Sequence, residues 1–312
     1  MNLCDPISFI VLGTAEFTLA CAESIRRSGG EVRALVTLPD DLKPENSINL
    51  TSFAQKYNIE LIEYSDLNDH EAVSYLKTLN VDYIFSTWPH LLSDEFISIP
   101  KKFVIGSHPT PLPIGRGRHA LHWLTVLNRS ETCISFFRMD SGIDTGKILF
   151  QKPFRVEERI SDTNKRMMEA VYSSFPTFLS NLANGVSQSN ENNRNLFSNY
   201  WRKRDFHDIT LDPRMCYETA KRIVNSFLPP YSGARLYIGV DDFLVITNVN
   251  EVLEGDFLDN WQYREHGYIF QNYENYIMIR FDDAVLLLTL IQYVNRDLSG
   301  MKIRPPSYYL GK

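Results

Sequence analysis

The feature that most constrains the fold is a run–helix–run alternation at the start of the chain. "ISFIVLG" (7–13) is a short apolar run that stops at a glycine. "FTLACAESIRRSGG" (17–30) places apolar residues at helical spacing and ends at Gly-Gly. "EVRALVTLPD" (31–40) is the next apolar run, closed by Pro39. Short continuous apolar runs suit strands buried on both faces, and parallel strands need a crossover helix between them. The pattern continues through "INLTSFAQKYN", "IELIEY", "HEAVSYLKTLN", "VDYIFSTW" and "KFVIGSH". It predicts an α/β, Rossmann-like fold: a mostly parallel sheet with helices on both faces. Ligands of such sheets bind beyond the carboxyl ends of the strands.

The chain has 312 residues, length for one large domain or two smaller ones. After the helices and strands that end at Gly185, composition changes: "VSQSNENNRNLFSNYWRKRDFHDITLDP" is rich in Asn, Ser and charge. Beyond it lie one helix, "MCYETAKRIVNSFL", and the short strands "ARLYI", "FLVITNV", "GYIFQN", "YIMIRF" and "AVLLLTLIQ". The expected organisation is a catalytic-type α/β domain at 1–186, a linker at 187–213 and a small OB-like β-barrel at 214–312. Ser161 or Asp162 is the expected N-cap of the long helix ending near Gly185.

Composition excludes several classes. A net charge of −6 argues against nucleic-acid binding through phosphate neutralisation. From Arg214 onward there are ten Lys/Arg against twelve Asp/Glu, so the barrel has no basic surplus for RNA. No apolar run reaches the ~20 residues of a membrane helix, and the N-terminus has no signal-peptide pattern. Cys4, Cys21, Cys133 and Cys216 are scattered, as expected of a cytoplasmic protein without disulfides or zinc.

The chemistry-bearing stretch is "IGSHPTPLPIGRGRH" (105–119), which follows an apolar strand. A lone His108 there reads most simply as a hydrogen-bonded loop histidine. "MDSGIDTGKIL" adds Asp140 and Asp144 in a Gly-flanked turn, which could be purely conformational. The functional reading joins the two: Asp144 orients His108, and His108 moves a proton. The spacing fits no metal-ligand pattern, so no metal is expected.

Together these stretches resemble the folate-dependent formyltransferases, a family that includes methionyl-tRNA formyltransferases and sugar N-formyltransferases. "GSH", "TPLPIGRG", "ALHW" and "MDSGIDTGKIL" stand where that family has its catalytic strand, loop, helix and acidic turn. "FSTWPHLL" is similar to its cofactor loop, and "RIVNSFLPPYSGARLYIG" to the start of its small barrel. The resemblance implies 10-formyltetrahydrofolate as donor and a primary amine as acceptor. It makes His108 the base and Asp144 its orienting partner. It places the folate near Phe85, Ser86, Thr87, Trp88, Leu92 and the turn Asp140, Ser141, Gly142 and Ile143. It places the acceptor near Gly13, Thr14, Ser107, Thr110, Arg116, Gly117, Arg118 and His119. Ser107 should nevertheless point away from His108 if the strand runs through it. Gly115 and Gly117 would let the backbone approach a ligand, and Arg116 either faces the groove or ties down the acidic turn.

One position departs from the family. The Asn two residues before the histidine, which stabilises the developing oxyanion, is Gly106 here. Losing one such donor costs ~10²–10³ in rate. Of the acceptor classes, the acidic chain and its variant "GRGRH" loop favour a nucleotide-linked amino sugar of a surface-glycan (lipopolysaccharide) pathway over tRNA. The only strong basic cluster is "WRKR" (201–204). The aromatic-rich barrel, with Tyr231 and Tyr237, is compatible with a homodimer. A non-catalytic binder and a formate-releasing hydrolase are the alternatives.

Overall fold

The structure is a computed structural model that describes residues 6–186, 197–255, 258–292 and 294–310. Cys4 and residues 187–196 of the expected linker lie outside the described residues. The chain divides into two compact units. One comprises Met1–Ala120, Glu131–Arg155 and Asn164–Arg202; the other comprises Leu121–Ser130, Val156–Thr163 and Lys203–Lys312.

The first unit alternates as the sequence predicts: β1 (Ser8–Leu12), α1 (Glu16–Arg27), β2 (Glu31–Thr37), α2 (Thr51–Tyr57), β3 (Glu60–Glu63), α3 (His70–Thr78) and β4 (Tyr83–Ser86). Then follow α4 (Asp94–Ile97), β5 (Phe103–His108), β6 (Arg116–Gly117), α5 (Ala120–Val126, which after Ala120 belongs to the second unit), β7 (Glu131–Arg138) and β8 (Ile148–Arg155). The long helix α6 (Ile160–Ala183), which enters the first unit at Asn164, and the short strand β9 (Tyr200–Trp201) complete it. Because α6 begins at Ile160, Ser161 and Asp162 fall in its first turn and not at the N-cap.

Seven strands form one sheet in the order β3-β2-β1-β4-β5-β7-β8. The first five are mutually parallel; β7 runs antiparallel to β5, and β8 antiparallel to β7. Chain order reverses between β1 and β4, which makes their carboxyl ends the switch point where ligands of such sheets bind. At the other end, Asp82 accepts hydrogen bonds from Ser8 N (2.9 Å) and Ser8 Oγ (2.8 Å), joining the start of β1 to β4.

Strand alternation sorts the core into two faces. Ser107 pairs with Phe136, whose ring meets Phe85, Phe150, Phe175 and Phe178 at centroid distances of 4.8–6.2 Å. All five rings are buried, and α6 supplies Phe175 and Phe178. The other face buries Ile10, Leu12, Ile84 and Val104 with Leu76 of α3 and Phe96 of α4. Gly106 and His108 share that face.

The second unit contains α7 (Tyr217–Asn225), β10 (Ala234–Tyr237), β11 (Phe243–Glu251), β12 (Ile269–Tyr273), β13 (Tyr276–Arg280), β14 (Val285–Leu290) and α8 (Pro306–Tyr309). Its strands make an antiparallel sheet in the order β10-β11-β14-β13-β12. This is the small all-β unit read from the strand spacing. Among the described residues, no helix is long and apolar enough to cross a membrane.

Candidate active site

His108 ends β5 and is 6% exposed. The loop after it turns back so that the Gly115 carbonyl lies 2.7 Å from Nε2. A carbonyl only accepts, so Nε2 carries the hydrogen. Nδ1 faces Asp144 Oδ2 at 3.5 Å, an ion-pair distance longer than a good hydrogen bond. The ring thus sits between two acceptors, and only an imidazole protonated on both nitrogens can donate to both.

The Asp144 turn is held from both sides. Gly117 N–H donates to Asp144 Oδ2 at 2.9 Å, and Arg116 Nε donates to the Asp144 carbonyl at 3.0 Å. Arg116 is buried, with Nη1 3.4 Å from the Tyr200 hydroxyl. Asp140 closes the same turn by accepting from Gly142 N (3.0 Å) and Thr145 Oγ1 (2.6 Å). Of the two roles open to Arg116, the geometry displays the tie to the acidic turn.

The glycines of the loop answer to the protein itself. A Cβ on Gly115 would lie 2.9 Å from the Trp201 ring, and one on Gly117 would lie 2.3 Å from the Trp201 carbonyl oxygen. Both glycines also have positive φ, 72° and 103°. β9 pairs with β6 here, Arg116 N donates to the Asn199 carbonyl (3.1 Å), and Gly115 N donates to Asn199 Oδ1 (2.8 Å). Sequence reasoning missed Asn199, Tyr200 and Trp201 as supports of this loop. The aromatic pair in an otherwise polar segment was the available signal.

Gly106 is explained by its cross-strand neighbour. It pairs with Phe137, and a Cβ at 106 would lie 2.5–2.9 Å from three atoms of the Phe137 ring. Phe137 is buried against Leu112 and Ile148. A side chain at position 106 would therefore meet the Phe137 ring, and a glycine is what fits beneath it.

The other sequence-predicted residues divide. Ser86 pairs with Gly106, so the loop after β4 leaves the sheet beside His108. In that loop, Trp88 is half-buried and packs, as does Met139, against the core cluster that includes Leu92 and Val104. Ser141, Gly142 and Ile143 are exposed on the acidic turn. Arg118 is exposed and His119 half-buried just past β6. Three residue groups do not join the site. Phe85 is fully buried in the aromatic cluster on the opposite face and is not a folate wall. Ser107 faces that same cluster, as strand alternation requires. Thr110 is fully buried and donates to the Ile114 carbonyl at 2.7 Å, bracing the loop.

At the end of β1, Thr14 is buried and its carbonyl accepts from Ile48 N (2.8 Å). Gly13 makes room for a Thr18–Thr87 hydroxyl pair 2.7 Å apart, since a Cβ there would lie 2.0 Å from Thr87 Oγ1. Thr87 also donates to the Leu12 carbonyl, locking β1 to β4 at the switch point. Among the described residues, no cluster of His, Cys, Asp or Glu could hold a metal ion.

Comparison with known proteins bears on the family and the fold. The chain is 25% identical over a 315-residue alignment to the methionyl-tRNA formyltransferase of Clostridium tetani, covering 95% of this chain and 97% of that protein. HypX from Aquifex aeolicus shares the fold with a TM-score of 0.66 at 15% identity, over 99% of this chain and 49% of that one. The N-formyltransferase from Helicobacter canadensis, solved with folinic acid and dTDP-3-aminofucose, gives 0.63 at 16% identity, over 92% and 100%. The formyl transferase family model matches residues 6–181, more than half of the chain. The chain belongs to the formyl transferase family.

Proposed function

We propose that this protein is an N-formyltransferase moving a formyl group from 10-formyltetrahydrofolate to the primary amine of a nucleotide-linked amino sugar. The observation that carries the reading is the His108–Asp144 pair at the end of β5, next to the loop that follows β4. Attack by an amine needs a base and a place for the proton. His108 is the base, and Asp144 with the Gly115 carbonyl holds the charged ring that results.

The residues at this end of the sheet fit a folate. Trp88 offers a half-buried aromatic surface, while Leu91 (73% exposed) and Ile143 (48%) present apolar groups that the protein does not cover. Trp88, Leu92 and the 140–144 turn would hold the cofactor, which supplies an activated formyl group when bound. His108 receives the proton, and Arg116 keeps the Asp144 turn in place. Position 106 contributes no N–H from a side chain, because Phe137 occupies that space.

Two observations support the sugar acceptor. The chain carries a net charge of −6. Within the basic "WRKR" segment, Arg204 is 3% exposed; it donates to Ser226 Oγ at 2.8 Å and stacks on Trp123 and Phe227. That arginine is structural and is not presented to a polynucleotide. The second reading, methionyl-tRNA as acceptor, is favoured by the Clostridium tetani relative.

The test is incubation with 10-formyltetrahydrofolate and a panel of UDP-, dTDP- and GDP-linked amino sugars, with mass spectrometry of the products. The reading expects a formylated sugar that is absent with His108→Ala. Formylation of methionyl-tRNA alone would replace the acceptor. Release of formate, or folate binding without any product, would make the protein a hydrolase or a binder.

A further inference from the structure

The second unit concentrates positive charge that its composition hides. From Arg214 onward, ten basic residues face twelve acidic ones. Yet five of the ten, Arg214, Arg264, Arg280, Lys302 and Arg304, line one cavity of about 500 Å³. Of the acids among the described residues of this stretch only Glu265 lines it, joined by Asp212 from just upstream.

Backbone pairing brings these residues together. Tyr268 bridges to Lys302, and Ile303 N donates to the Gly267 carbonyl at 2.8 Å. Gly267 N donates to the Arg280 carbonyl at 2.8 Å, and Asp282 N to the Met215 carbonyl at 3.2 Å. Four separate segments therefore converge on one hollow.

Three of the cations have partners. Arg214 pairs with Asp212, Lys302 Nζ lies 3.0 Å from Glu265, and Arg280 donates to the Trp261 and Gln262 carbonyls. His266 sits 3.3 Å from Asp282. Arg264 and Arg304 differ: both are exposed, and no ion pair to a carboxylate is present for either among the described residues. Their guanidinium groups rest over Tyr268 (4.9 Å) and Tyr308 (5.7 Å) instead. Like charges brought together repel, and a bound anion offsets that cost.

We propose that this cavity binds the diphosphate group of a nucleotide, with Arg264 and Arg304 as its ligands. Planar guanidinium forks match phosphate oxygens pairwise, and two of them suit two linked phosphates. A volume of about 500 Å³ lies within the range of small-ligand sites, whereas a polynucleotide backbone needs an extended basic track. The site belongs to the second unit and does not depend on the chemistry at His108.

Calorimetric titration of the full chain with inorganic pyrophosphate, UDP and dTDP tests this. The comparison is the Arg264→Ala/Arg304→Ala double variant, with an unchanged melting temperature as the folding control. The expected result is a pyrophosphate site that weakens about tenfold or more in the double variant, and one nucleotide fewer bound per chain. Unchanged affinity and stoichiometry would overturn the proposal. So would absence of pyrophosphate binding together with salt-sensitive binding of an RNA oligonucleotide that the double variant loses. Formyl transfer is assayed separately, so its failure leaves this test intact.

Discussion

The two faces of β5 and β7 are ordered by different forces. On one face Ser107 lies with Phe136 and four further buried aromatic rings, and order comes from dry packing. On the other face His108 is opposite Ser135, and order comes from hydrogen bonds: Ser135 Oγ to the Thr110 carbonyl (2.5 Å) and Gln151 Nε2 to Ser135 Oγ (2.9 Å). The packed face fixes the strands; the bonded face aims the imidazole. Phe137, like Val104, is an apolar residue of this second face, and its ring lies over Gly106.

Changes on each face separate these roles. His108→Ala should lower kcat by ~10²–10⁴, the usual worth of a positioned acid–base group. Steady-state assay and thermal melting together check that activity falls far more than stability. Phe136→Ala should do the reverse. It should cost about 3–5 kcal/mol in urea unfolding, as for truncation of a buried aromatic residue, and leave the rate per folded molecule near wild type. An equal loss of rate would show that the two faces are not separable.

A smaller effect lies at the far end of the sheet. Burial alone would raise the Asp82 carboxyl. Hydrogen bonds from Ser8, with Lys101 and Arg33 nearby, outweigh burial and hold it below the usual range. A group depressed in the folded state stabilises the fold above its unfolded value of about 3.9, and that contribution fades as pH falls through the lower folded value. Asp82→Asn should therefore cost about 1 kcal/mol at pH 7, the scale of a hydrogen bond. The gap from wild type should close on acidification below about pH 4. Urea titrations across pH check this, and a gap independent of pH would contradict it.

Much of this was legible in the sequence for local reasons. Apolar runs, helical spacing and Gly or Pro stops act over a few residues, so β1 to β5 and their helices could be read directly. His108 and Asp144 stood in compact motifs. What escaped reading was set by register between distant segments. Phe137 meets Gly106 only because β7 turns antiparallel beside β5. Asn199 to Trp201 reach Gly115 to Arg118 across about eighty residues of chain. Phe85 looked like a ligand wall at the end of β4, but alternation sends it into the aromatic core. Counting charge over the second unit missed five cations that only the fold brings together.

The most direct measurement is a double-mutant cycle on Gly106→Asn and Phe137→Ala, read by melting temperature and by kcat for formyl transfer. Gly106→Asn alone should destabilise the fold, because its Cβ meets the Phe137 ring at 2.5 Å. The double variant should melt above that single variant, since the ring is gone. It should also turn over faster than Phe137→Ala alone, by as much as the ~10²-fold that an oxyanion donor supplies. A Gly106→Asn protein as stable as wild type, or a double variant no faster than Phe137→Ala, would contradict the account in which the Phe137 ring keeps position 106 from carrying a donor side chain.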